Sequence, residues 1–183
     1  MAKVIDLNSF KRKQIGEVCF KLWSRRFNEH FDEATSLKDL SDRTILFLAS
    51  PGSKSANAFY ELIKCVLSPQ SKAKFQPITK EEELEYLDIY LLLADRTRFE
   101  LMKRLSWISE YCNEDDAIID LIPIFKEDFY QNFHKPPKLS ENHPDFQTYE
   151  TLIEREKEVH VKKMFVNALI QFNARVNNSS DPS

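Results

Sequence analysis

The sequence predicts an all-α fold, an irregular bundle of about six helices with one or two of them long. Three observations carry the prediction. Apolar residues recur at helical spacing along most of the chain. Several segments open on residues that cap helices. Glycine is scarce, with only Gly16 and Gly52 among 183 residues, where average usage of about 7% would give roughly a dozen. Hairpins and phosphate loops need glycine for positive φ or close backbone approach, so few such turns are available.

The first helix is expected from about Ser9 to Phe31, with Ile15, Val18, Cys19, Leu22, Phe27 and Phe31 on its apolar face. A second, about Leu37–Ala49, follows Ser36 as N-cap and stops at Ser50-Pro51-Gly52. Its segment Thr44–Ala49 (TILFLA) also reads as a buried strand, although no partner strand is evident nearby. The third runs about Ser55–Leu67, and Ser68–Pro77 is a loop. Thr79-Lys80-Glu81-Glu82 is a capping box that opens a long fourth helix to about Tyr111, with a break admissible at Asp95–Thr97. Asn113 and the acids Glu114-Asp115-Asp116 open a fifth, whose stripe of Ile118, Ile122, Phe125, Phe129 and Phe133 passes through Pro123. Pro144 fits the first turn of a last helix ending near Val176. One domain is expected over 1–176, with a flexible polar tail at 177–183.

The net charge of −3 does not suggest a dedicated nucleic-acid binder. Charge is uneven, because residues 1–30 carry seven Lys and Arg against three acids, a local +4. The three cysteines, Cys19, Cys65 and Cys112, are distant from one another and odd in number; they read as buried free thiols, which implies a reducing compartment. No apolar stretch approaches the roughly 18 residues of a membrane span, and the first residues lack the apolar centre of a signal peptide. A cytoplasmic location follows from this reading.

No reaction can be named. Pro51-Gly52-Ser53-Lys54-Ser55 resembles fragments of a Walker A loop and of the PGSKS string of enolpyruvyl transferases. The first Walker glycine is absent and Ser53 separates Gly52 from Lys54, so a helix stop followed by a serine cap accounts for the segment. The four histidines show neither H-x-x-x-H nor Glu-x-x-His spacing, and no metal or cofactor is expected. Glu82 and Glu85 supply half of the E-x-x-E…E-x-x-D pattern of helical pyrophosphohydrolases, without the second half. No nucleophile–base pair is evident either.

Two groups of residues remain as candidates. Counting Leu84, Leu87, Leu91, Ala94, Arg98, Leu101 along the long helix places Arg98 on the apolar stripe, one turn from Asp95. A charge there must be paired or must face a cleft for an anionic ligand. In the first helix Lys21, Arg25 and Arg26, with Trp23 beside them, read as a surface for an anionic partner or as charges paired within the fold. The function expected is that of a non-enzymatic interaction or regulatory module, binding another protein or itself through a patch with aromatic members such as Phe20, Trp23, Phe129, Tyr130 and Phe133. The alternative is a helical ligand-binding protein or enzyme with a small-molecule pocket at Arg98.

Overall fold

The computed structural model describes residues 7–67, 79–127 and 135–178, with side chains over 11–67, 79–125 and 135–178. The all-α expectation holds. The helices are α1 (Leu7–Cys19), α2 (Lys21–Phe27), α3 (Asp42–Ala49), α4 (Ser53–Leu67), α5 (Lys80–Arg104), α6 (Ile118–Glu127), α7 (Phe146–Glu150) and α8 (Glu154–Asn178). A 3₁₀ turn, Leu37–Asp39, precedes α3. The loop expected at Ser68–Pro77 and the aromatics Phe129, Tyr130 and Phe133 lie outside the described residues. The tail expected from 177 begins inside α8, and 179–183 lie outside the described residues.

α1 and α2 run nearly end to end, since Phe20 keeps helical dihedrals and the bonds Phe20 N–H to Gly16 O and Ser24 N–H to Phe20 O bridge them. Asn28 ends α2 in the left-handed region, a conformation asparagine tolerates. Gly16 sits where α1 crosses the chain at Glu33. A Cβ at position 16 would come within 2.7 Å of Glu33 N and 2.9 Å of Glu33 Cα. Thr44–Ala49 is helical, in α3, with Ser41 accepting from Thr44 N–H as the cap.

α5 runs through Asp95–Thr97 without a break. It opens on the expected capping box, in which Thr79 Oγ1 accepts from Glu82 N–H and Glu82 accepts from Thr79 N–H. It ends seven residues earlier than expected. Ser106 takes φ of 61°, Trp107 N–H reaches Met102 O and Ser106 N–H reaches Lys103 O. These bonds form a Schellman stop built on serine, where the usual marker is glycine. The chain then forms β1 (Ile108–Glu110), antiparallel to β2 (Lys138–Leu139), a small sheet the helical periodicity did not indicate. Glu114-Asp115-Asp116 lie in turns ahead of α6, not in its first turn. The last helix is two pieces. α7 is held by Tyr149, whose buried hydroxyl donates to Pro137 O at 2.8 Å, and α8 starts afresh at Glu154.

One hydrophobic cluster draws on all of these helices. At its aromatic end, Trp23 packs edge-on to Phe20, Phe27, Phe31 and Phe59, with ring centroids 5.6–6.0 Å apart. The three thiols expected to be free are not. Cys19 and Cys65 form a disulfide with Cα atoms 5.3 Å apart, joining the end of α1 to α4, and Cys112 is not disulfide-bonded. The sequence reading failed there because helical spacing brings residues 46 positions apart together without any local signal. No helix among the described residues is long and apolar enough to cross a membrane.

Candidate functional site

Along α5 the structure separates two faces that the sequence pattern merged. Ile89, Leu93, Arg96, Thr97, Glu100 and Leu101 turn inward. The stripe Leu84, Leu87, Leu91 turns outward, with 62%, 40% and 47% of each residue exposed. The periodic stripe therefore does not lie against the core over the first half of the helix. In the second half α5 is enclosed on most sides by α3, α4, α6 and α8, so a single 3.6-residue period no longer marks the buried face.

Asp95 and Arg98 lie on the outward stripe where α8 begins to cover it. Arg98 Nη1 donates to Asp95 Oδ1 at 3.1 Å, and Lys162 Nζ of α8 lies 2.7 Å from Asp95 Oδ2. Lys162 also reaches Glu158 at 2.8 Å. Burial alone would lower the Lys162 pKa, but the hydrogen bonds to Asp95 and Glu158 outweigh it and raise it. The guanidinium of Arg98 stands 4.8 Å over the Phe165 ring. Its Nε is buried, with no hydrogen-bond partner among the described residues. The cleft at this point is about 60 Å³, lined by Asp95, Arg98, Phe99, Met102, Lys162 and Phe165. That is room for a few waters, well short of the ~300–1,000 Å³ of ordinary ligand sites. Asp95 already occupies Arg98 as a ligand carboxylate would.

The fully buried cation is a neighbour. Arg96 is 3% exposed, its guanidinium 5.8 Å from the Phe99 centroid, and desolvation lowers its pKa against the pull of surrounding acidic groups. Sequence reasoning passed over Arg96, and over a junction one turn further on. Glu100, 5% exposed, accepts from Arg104 Nε at 2.8 Å and from the Tyr111 hydroxyl at 2.9 Å. Burial, with the Glu100 charge beside it, pushes the Tyr111 hydroxyl far above its ordinary pKa. The signal that could have found this was the i, i+4 pair Glu100–Arg104 inside an apolar run.

The basic helix divides as well. Trp23 is wholly buried, its indole N–H donating to Ala58 O at 3.0 Å, so it lies apart from the surface cations. Arg26 Nη2 reaches both oxygens of Glu61 at 2.9 and 3.0 Å, the internal pairing that was one of the two expectations. Lys21 and Arg25 are exposed and make no ion pair with any described residue. Between them on the same face stands Leu22, with Val18 one turn earlier, 50% and 59% exposed.

Other surface hollows are open. One of about 560 Å³ is lined by Leu152, Ile153 and Val159 and by Arg155, Glu156, His160 and Lys163. Among the described residues no three His, Cys, Asp or Glu side chains converge to hold a metal ion. No protein-family model, no curated protein and no solved structure matches this chain. Its own geometry is thus the whole basis for a functional reading. Among the described residues the geometry offers exposed aliphatic helix faces and open surface hollows.

Proposed function

We propose that the protein is a helical protein-contact module, acting by docking and not by chemistry. The single observation that carries this is the outward stripe Leu84, Leu87, Leu91 on α5. Three large aliphatic side chains at i, i+3 and i+7 form the ridge that a partner helix or groove reads. Their exposure is unfavourable in water unless a partner covers them. α8 carries a second outward row, Val159, Val166 and Ile170. The aromatic anchors expected at such a patch are absent from both rows. The large exposed hydrophobic side chains among the described residues are aliphatic. An anionic ligand at Arg98 has less support, because Asp95 is already bound there and the cleft is small.

A cytoplasmic location, expected from the sequence, stands against the Cys19–Cys65 bond, which a cytosolic thiol pool would tend to open. Imaging a tagged full-length chain decides it.

The test of the docking reading is affinity capture from native extract, comparing the wild type with a Leu84→Ser, Leu87→Ser, Leu91→Ser variant shown by circular dichroism to keep its fold. Loss of specific partners in the variant is expected. An identical set of retained proteins, or none with either chain, overturns the reading.

A further inference from the structure

Two exposed helix faces of this molecule both carry aliphatic side chains and bear opposite charge. On α1–α2, positions 11, 18, 21, 22 and 25 fall within one face of a nearly continuous helix. They present Val18 and Leu22 flanked by Lys11, Lys21 and Arg25, all exposed. On α5, positions 81, 84, 87, 88 and 91 share a face, presenting Leu84, Leu87 and Leu91 flanked by Glu81 and Asp88, also exposed. None of these five charged groups makes an ion pair with a described residue. Val18–Leu22 and Leu87–Leu91 are each one turn apart, so the two aliphatic ridges have the same pitch.

The faces do not cover each other within one chain, since Val18, Leu22, Leu84, Leu87 and Leu91 all stay exposed. α4 packs against both α1 and α5. Tyr90 of α5 stacks on Tyr60 of α4 with ring centroids 5.3 Å apart. Leu84, Leu87 and Leu91 lie to one side of Tyr90 on α5 and stay exposed. Each molecule therefore offers one basic–aliphatic and one acidic–aliphatic face, both uncovered.

We infer that the partner of the α5 stripe is a second copy of this chain, whose Val18–Leu22 ridge packs on Leu84, Leu87 and Leu91 while Lys21 and Arg25 meet Glu81 and Asp88. This rests on the docking reading above and gives it an occupant. Each contact pairs the α1–α2 face of one copy with the α5 face of another, closing reciprocally at a two-fold pair or running on head-to-tail into a ring or open row. Opposed charges at the rim set register and the rate of encounter, while the aliphatic ridge holds the contact.

The experiment is light scattering on the full chain across a wide concentration range, at low and high salt, with two charge-reversed variants. One carries Lys21→Glu and Arg25→Glu, the other Glu81→Lys and Asp88→Lys. All four positions are exposed, and circular dichroism confirms the fold of each variant. The wild type should self-associate increasingly with concentration, and salt should weaken the association. Each variant alone should associate at least about tenfold more weakly, since like charges then face each other. Mixing the two variants should restore assembly, because every interface in the mixture again pairs opposite signs. A wild type that stays monomeric overturns the inference. A dimer that stops at two copies and ignores both reversals also overturns it, and points to a symmetric contact such as the Val159–Val166–Ile170 row. If the wild type is monomeric while the leucine-to-serine variant still loses a captured partner, this inference falls and the docking reading stands. If capture fails as well, both fall.

Discussion

Arg104 and Asp42, 62 positions apart in the sequence, meet through Nη1 and Oδ1 at 2.8 Å. The remaining donors of Arg104 are used too. Nε goes to Glu100, and Nη2 goes to the carbonyls of Leu37 and Lys38. Arg175 of α8 completes the junction, donating to Arg104 O at 2.8 Å and lying 3.4 Å from Asp42. One guanidinium thus ties α5 to the 3₁₀ turn and α3, and α8 docks on the same point.

Replacing Arg104 by alanine should destabilise the fold by about 3–5 kcal/mol, because the Glu100 carboxylate stays buried with only the Tyr111 hydroxyl. Arg104→Lys should recover only part of this, since an ammonium cannot reach both carboxylates and both carbonyls in a planar fork. Urea denaturation measures both, and a loss below about 1 kcal/mol for the alanine variant would show that the junction is held by other means.

Arg98→Ala should cost much less, about 1 kcal/mol, because Arg98 is part-exposed and Asp95 keeps Lys162. Lys162→Ala should cost a similar amount. The double variant should lose more than the sum, by about 0.5 kcal/mol or more, since each cation alone suffices to hold Asp95. Thermal melts of the four proteins test this, and strict additivity would mean that the two cations do not share the carboxylate.

The bond between Cys19 and Cys65 closes a loop of 46 residues. Loop-closure entropy puts its contribution at about 4 kcal/mol. Replacing both cysteines by serine should lower stability by that order, and reductant should have the same effect on the wild type. A non-reducing peptide map should join the two segments. Three titratable thiols in the unfolded, unreduced chain would refute the pairing.

Asp39 accepts from both the backbone N–H and the hydroxyl of Ser36, at 2.8 and 2.6 Å. Those bonds hold its pKa below the ordinary 3.8. A carboxyl depressed on folding stabilises the native state above its unfolded pKa, and that gain is lost as pH falls through the folded value. Asp39→Ala should therefore be less stable than wild type by about 0.5–1 kcal/mol near pH 7, a modest value because the group is well exposed. The gap should close below about pH 3. A gap that persists in acid would mean the side chain acts through something other than its charge.

Much of the fold was legible because its signals are local. The capping box at Thr79, the stop at Ser50-Pro51-Gly52 and the aliphatic spacing of α4 each appear within a few residues. What stayed hidden depends on distant partners or unmarked chemistry. Ser106 ends α5 in a left-handed conformation without glycine to announce it. The β1–β2 ladder joins strands too short to carry a period of two. Leu84, Leu87 and Leu91 looked like core because periodicity shows that a helix has an apolar face, not what covers it. Arg98 drew notice by its place in that stripe, whereas nothing near Arg104 in the sequence points to Asp42, Leu37 and Lys38, more than 60 positions away.

The contact at Gly16 bears on how sequences of this fold could diverge. Most surface positions of α1 could change freely, but position 16 faces the peptide of Glu33 at a separation that admits only hydrogen. The clash would be with backbone, which cannot swing aside as a long side chain does. Substitution there requires the Phe31–Ala34 segment to shift, and with it the buried Phe31 beneath Trp23. In any set of diverged chains sharing this architecture, the column equivalent to Gly16 should be the invariant one against which the rest of the first helix can be aligned.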